Sequence, residues 1–478
     1  MKRYLCLVFL LICLNQYSQK VPFDVQKKYS IKEILGDIDY AEKYLIKFHP
    51  DPFRYISKDS LHAFVLYTKS LIDTPLTEMQ VRFYIKRIVA KIGCGHTDVG
   101  ASKKYIKAVA KLSRPALPLN TFVIDTNRLF ILNNLSKDST IYPGDEIISI
   151  DNRPVRNILS TIYSVSTSDG YNTTYKKQGS KFQWFKYYYS FCYGFKPTYA
   201  VTIKHKNHRI TTHTLEAIST LKDTLIPPRK DTVICVAKTK TCNYSVLKDD
   251  QSVGVIDINS FKGRNWSSFF KKSFRDIQEK KIEHLVIDLR DNGGGQINDG
   301  LSMLSYLLDE TQYLPFDRKA NLMMFNPKYK MGIGNRLSPL VFTLFMPKTF
   351  HFNRLRYYFI SFPKKKYAFK GQTYVLVNGR SFSMSAVTAS FLKYKKNAIV
   401  IGEETGGNVS GSNAVISGKI NLPASKIQVF IPMYHLYHQI VVKNEGHGLM
   451  PDYQTHYTSD DVLNGVDIDL IKVFDLVK

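Results

Sequence analysis

The chain has 478 residues, 44% of them apolar, and a formal net charge of +27, so it is long enough for several packed domains. The positive charge is scattered, as in KHKNHR and KYKK, and forms no nucleic-acid-binding motif. It favours anionic partners such as acidic peptides or a lipid surface. The sequence has no HExxH and no paired CxxC, so neither of these zinc motifs is present, and nothing in it calls for a metal or a cofactor.

Residues 1–18 carry two basic residues, then LCLVFLLICL, then a polar flank. That order reads as a secretory signal peptide, cut near Ser18–Gln19. The bulky Ile12 before Cys13 argues against a lipid anchor there. The expected location is therefore outside the cytoplasm: periplasm, cell envelope or medium, where nucleic acid is not a natural partner. Export permits disulfides among Cys94, Cys192, Cys235 and Cys242. Cys235 and Cys242 are spaced for a bridge across a hairpin, but spacing alone does not make one.

Residues 19–105 read as a helical domain. IKEILGDIDYAEKYLIKFHP, LHAFVLYTKSLI and MQVRFYIKRIVAKI repeat apolar residues at three- and four-residue steps. The Pro50–Pro52 cluster separates the first two, and Gly93 stops the third. Residues 110–215 change to short β runs with turns. One of them, YPGDEIISIDNRPV, joins a Pro-Gly turn to an alternating strand and an Asp-Asn hairpin turn. Between these runs, SDGYNTTYKKQGSKFQWFKYYYSF is polar and aromatic and reads as a cover over a neighbouring domain. Residues 216–250 read as a connector. From 251 to 478 strands and helices alternate, which implies parallel strands with crossover helices. A basic, aromatic insertion at about 313–369 interrupts them and reads as a lid or substrate wall.

Three turns in this last region bear chemistry. DLRDNGGG follows a buried strand, and its glycines let backbone N–H groups approach a ligand. GRSFSMSA lies between a strand and a helix, so its serines are either helix caps or a nucleophile at a helix N-terminus. VVKNEGHGLMPD holds Glu445 and His447. A serine nucleophile needs a base and the base an orienting group. His96, in IGCGHTDVG, has the glycine flanks of a loop that can push an imidazole into a cleft.

With these motifs together and in this order, the chain resembles the tail-specific, or C-terminal processing, serine peptidases, and within them the branch that includes the core of tricorn protease. YPGDEIISIDNRPV resembles the family's PDZ strand, DLRDNGGG its glycine-rich turn, SFSMSA and IGEETGG its nucleophile turn and next strand end, and EGHGLMPD its closing Gly-x-x-Pro-Asp stretch. The resemblance covers nearly the whole mature chain. It implies an α/β catalytic domain with a crossover βαβ core of the ClpP/crotonase kind, an N-terminal helical segment and a PDZ-like β-rich domain.

The resemblance assigns residues as follows. The attacking hydroxyl is Ser383, and Ser381 and Ser385 fall to capping and packing. The lysine of the Ser–Lys members would stand at Asn408, whose amide is no base. The tricorn-like alternative puts the base at His96 and its orienter at Glu445. The oxyanion donors would be the N–H groups of Met384 and of Gly294 in the DNGGG turn. His447, beside Glu445, is the rival base, though the resemblance gives it no catalytic role. The implied activity is hydrolysis of peptide or protein substrates, acidic ones if charge guides the choice. The alternative is a silent peptide- or ligand-binding protein of the same fold, favoured by Ala386 standing where the family usually has an acidic residue.

Overall fold

The computed structural model describes residues 23–478 apart from 126, 182, 220–232, 249, 264, 318–325, 333–334, 336–349, 353–356, 363, 437–439 and 441–444. The leader at 1–18 with Cys13, the middle of the expected connector and most of the insertion thus lie outside the described residues.

Three helices lead: α1 (Ile31–Phe48), α2 (Lys58–Ser70) and α3 (Glu78–Ala90). Ser30 starts α1 with a capping box, its side chain accepting from Glu33 N while the Glu33 carboxylate accepts from Ser30 N. Ile34, Ile38, Ala41, Leu45 and Phe48 form the buried stripe of α1. Asp37, on the same helix, is buried because Ala424 N, Ser425 N and Ser425 Oγ all donate to it. This pins the helical segment to the far end of the chain. From α3 the chain turns through Gly93 into the loop of His96, then into β1 (Asp98–Gly100) and α4 (Lys103–Val109).

The β-rich unit follows: β2 (Leu119–Ile124), β3 (Arg128–Asn134), β4 (Glu146–Ile150), α5 (Val155–Ser164), α6 (Gln183–Tyr193), β5 (Thr198–Lys204) and β6 (Ile210–Glu216). Its strands pair antiparallel in the order β2-β3-β4-β5-β6. The Asp-Asn turn after β4 has positive φ at Asp151 and Asn152 (50° and 61°), as a tight hairpin requires. Phe185 and Tyr189 of α6 are fully buried in the same core as β2 and α5, so the helix packs against this sheet.

The residues expected to be connector end in strands β7 (Val233–Lys238) and β8 (Cys242–Leu247), a hairpin on the edge of the main sheet. Alternation here was masked by its short length and by Lys-Thr-Lys-Thr at the turn. Cys235 faces Ser245 rather than Cys242, and Cys94, Cys192, Cys235 and Cys242 are all free. The main sheet continues with β9 (Val253–Ile258), α7 (Trp266–Glu279), β10 (His284–Asp288) and α8 (Ile297–Leu304). Strands β11 (Gln312–Asp317), β12 (Phe350–Phe352) and β13 (Tyr357–Phe362) belong to the insertion. Then come β14 (Gln372–Val377), α9 (Met384–Lys396), β15 (Ile399–Gly402), the long pair β16 (Asn413–Asn421) and β17 (Gln428–Leu436), β18 (Tyr453–Gln454) and α10 (Ile468–Val477).

The main sheet runs β7-β8-β9-β10-β14-β15-β18, parallel from β9 onward. Strands such as His284–Asp288 and Gln372–Val377 are buried along almost their whole length, as strands covered on both faces must be. The described part of the insertion is antiparallel sheet, in the order β12-β13-β11-β17-β16, and β1 pairs with β17. That pairing sets the segment after His96 against the C-terminal part of the chain.

Candidate active site

Ser383 sits where β14 gives way to α9, at φ 56° and ψ −124°, a region non-glycine residues seldom enter. The turn is fixed from both sides. Ser381 Oγ accepts from Asn378 N at 3.0 Å and donates to Leu289 O at 2.8 Å, while Phe382 N donates to Asn292 O at 3.1 Å. The glycine-rich turn after β10 lies directly beneath. A Cβ at Gly294 would come 2.7 Å from Ser383 Cβ and 2.9 Å from Met384 N, so only glycine fits.

His96 reaches this serine from the other end of the sequence. Its Nε2 lies 3.1 Å from Ser383 Oγ, and its ring stacks on Phe382 with centroids 4.6 Å apart. Gly95 is needed for the approach, because a Cβ there would meet the Phe382 ring at 2.7 Å. Burial lowers the His96 pKa below the ordinary 6.5, and the nearby Asp169 carboxylate acts in the opposite direction. Cys94, two residues earlier, is no rival nucleophile, since burial pushes its thiol up to about 12.

Glu445 is not brought to His96. Its carboxylate accepts from Arg54 Nη2 at 2.9 Å, and its side chain is 67% exposed. Arg54 also donates to Ser410 Oγ at 2.9 Å, so it holds Glu445 at the rim. His96 Nδ1 is buried and has no hydrogen-bond partner among the described residues. His447 is likewise elsewhere, with Nδ1 3.2 Å from Glu404 Oε1.

The carboxylate that the structure ties to the His96 loop is Asp169, which the sequence reading did not single out. It is 3% exposed; Oδ1 accepts from Gly95 N at 2.8 Å and Oδ2 from Asn408 N at 3.3 Å. Burial raises its pKa, and the positive charge of a protonated His96 is the largest opposing influence. Its neighbours extend the tie: Gly170 N donates to Gly93 O and Tyr171 N to Gly446 O, each at 2.8 Å. Asn172 Nδ2 donates to Thr405 O at 2.9 Å. Thus SDGYN, the start of the expected covering stretch, binds the loops of His96, Asn408 and Glu445 together. A polar SDG turn in a long loop carries no periodic signal; its only trace was placement in a stretch too aromatic to be mere solvent loop.

The Met384 N–H opens α9 and has no intrahelical acceptor. The expected second oxyanion donor is otherwise engaged, for Gly294 N donates to Asn292 Oδ1 at 2.9 Å. Gly294 shapes the floor under the serine, but its N–H is shared with that side chain. Asn408 does structural work, as Nδ2 donates to Tyr55 Oη at 2.6 Å and Oδ1 accepts from Ser410 N at 2.8 Å. Among the described residues, no group of three or more His, Cys, Asp or Glu side chains is placed to hold a metal ion.

Comparison with known proteins supplies the family. Residues 252–455 match the model of peptidase family S41. The α/β domain belongs to family S41. It is a serine-type peptidase domain, acting on peptide or protein substrates. No curated protein gives a significant match to the chain. Among solved structures, mature CPAF superposes with a TM-score of 0.64 at 16% identity, covering 94% of this chain and 97% of its own. Mature CPAF complexed with lactacystin gives 0.65 at 15%, covering 94% and 98%. At such identities the likeness shows a shared fold across the peptidase domain and the two units before it. The photosystem II D1 C-terminal processing protease covers 91% of this chain and 98% of its own, at 15% identity and a TM-score of 0.42.

Proposed function

We propose that the chain is an exported peptidase that cleaves peptide bonds through an acyl-enzyme at Ser383, with His96 as general base. The observation that carries this reading is the 3.1 Å approach of His96 Nε2 to Ser383 Oγ across 287 residues of sequence. A serine used only as a helix cap would need no imidazole there. The serine O–H donates to neutral Nε2, the hydroxyl attacks the peptide carbonyl, and the imidazolium returns the proton to the leaving amine. Water, activated by the same nitrogen, then releases the acyl group.

The orienting charge in this reading is Asp169 and not Glu445. Asp169 fixes the backbone of the His96 loop through Gly95 and stabilises the imidazolium through space. Glu445, held by Arg54, belongs to the rim. The oxyanion falls to the Met384 N–H, over the floor that Gly294 shapes; losing one such donor typically costs about 10²–10³ in rate. The β-rich unit, read as PDZ-like, acts here as a brace through the segment at 168–172. Export rests on the leader at residues 1–18, and a preference for acidic substrates rests on the net charge of +27.

A fluorophosphonate probe tests the reading. The purified protein should label at Ser383, Ser383→Ala should not label, and His96→Ala should label far more slowly. A folded wild-type protein that fails to label would instead be a silent binding protein of this fold.

A further inference from the structure

Away from the serine, where the helical segment meets the β-rich unit, lies a cavity of about 340 Å³. Helix α3 contributes Arg82 to it, α4 contributes Tyr105 and Ile106, and α6 contributes Lys186 and Phe191, with Phe195 at the edge. The lining includes no aspartate or glutamate. Yet Lys186 is only 1% exposed, and its Nζ has no hydrogen-bond partner among the described residues. Arg82 is 8% exposed with its Nε also unpartnered, and its guanidinium lies 5.1 Å from the Phe191 ring centroid. Glu78, on the same helix as Arg82, accepts from both Ser102 N and Ser102 Oγ at 2.7 Å and interacts with Arg82 through its charge.

A buried cation without an anion is costly, and such groups are ordinarily paired; Lys186 is one, whereas Arg82 also feels the Glu78 carboxylate. Burial lowers the Lys186 pKa to about 8, and no charged neighbour opposes the shift. Most of the remaining wall is apolar or aromatic, and Ile106 (53% exposed) and Phe195 (43%) leave an apolar mouth open to solvent. A peptide would need partners for each of its amides, and the lining offers few polar side chains besides the two cations: Tyr105, Arg114, Tyr187 and Ser190. A single anionic head with an apolar body meets both halves of the lining.

We infer that this cavity is a binding site for a monocarboxylate with an aliphatic or aromatic body, its carboxylate received by Lys186 and Arg82 and its body lying against Tyr105, Ile106, Phe191 and Phe195. The site is separate from the catalytic pair, and the inference does not depend on the mechanism proposed above.

Isothermal titration of the full chain with decanoate tests it, alongside decan-1-ol and inorganic phosphate as the apolar and anionic halves of the ligand. Decanoate should give saturable binding and raise the melting temperature, while decan-1-ol and phosphate should each bind at least about tenfold more weakly. Lys186→Met, which keeps the volume and removes the charge, should weaken decanoate by at least about tenfold and leave decan-1-ol unchanged. Should Lys186→Met fail to fold, Ile106→Glu sets a repelling carboxylate at the exposed mouth and should weaken decanoate likewise. Absence of saturable decanoate binding, equal binding of either half-ligand, or full decanoate affinity in a folded variant would overturn the assignment.

Discussion

Gly170 and Gly446 pack so closely that a Cβ on the first would stand 2.1 Å from the carbonyl oxygen of the second. Gly170 also has φ +57°, where a side chain costs roughly 1–2 kcal/mol before any clash is counted. The same residue donates to Gly93 O, at the root of the His96 loop. Gly170→Ala should therefore push the loops of residues 93–96 and 445–448 apart. We expect fluorophosphonate labelling of Ser383 to slow by about tenfold or more while circular dichroism stays close to wild type. Unchanged labelling would show that the segment at 168–172 does not position the base.

The pH profile should carry the signature of Asp169. In the mechanism proposed above, His96 must be neutral to accept the serine proton, so kcat/KM should rise with pH through its pKa. Burial lowers that pKa, so the acid limb should have its midpoint below 6.5. Asp169 favours the imidazolium; Asp169→Asn should move the midpoint further to acid as well as lower the plateau. A merely structural loss would lower the plateau and leave the midpoint in place.

Glu445→Gln separates the two carboxylates. The wild-type residue is mostly solvated and paired with Arg54, so kcat should fall by less than about threefold. A fall as deep as that of His96→Ala would mean that Glu445 leaves Arg54 and joins the imidazole during turnover.

Asn408→Asp looks harmless in the sequence, because the amide takes no part in proton transfer. The structure changes that expectation. Asn408 is 1% exposed and its backbone N–H donates to Asp169, so a second carboxylate would be buried beside the first. Urea denaturation should show a loss of about 1–3 kcal/mol. Fluorophosphonate labelling per folded molecule should persist.

Arg290 anchors the glycine-rich turn. It is 8% exposed and pairs with Asp288, Asp467 and Asp469 at 2.6–2.7 Å, joining the turn to the start of α10. Arg290→Met leaves three carboxylates facing one another without their cation. Chemical denaturation should register a loss of about 3–5 kcal/mol. A stability change below about 1 kcal/mol, the range of surface pairs, would show that the cluster is solvated in solution.

The sequence made legible what local pattern controls. Helical spacing marked α1 to α3, alternation marked β4, and glycines marked the turns at Ser383, at DNGGG and at His96. Ser383 and His96 could be singled out because each sits in a turn whose local chemistry is unusual, and the structure brings the two side chains within 3.1 Å of each other. The partner of His96 was not legible in this way. Asp169 acts through two backbone N–H groups far away in sequence, and an SDG turn looks the same whether it faces water or is sealed at 3% exposure. Glu445 stood out for the opposite reason, since its motif is conspicuous while Arg54, which holds it, lies 391 residues earlier. Strands β7 and β8 were lost because an edge hairpin of mixed polarity resembles a linker until its partner β9 is known.

The 287-residue gap between His96 and Ser383 also sets when the enzyme can first act. A ribosome releases the imidazole long before it releases the hydroxyl, and the loop of Gly446 that closes over Gly170 comes later still. In the mechanism proposed above, the polypeptide throughout most of its own synthesis owns a base with nothing to deprotonate. It becomes able to cut only once nearly all of it has been made and folded, a form of latency that needs no propeptide.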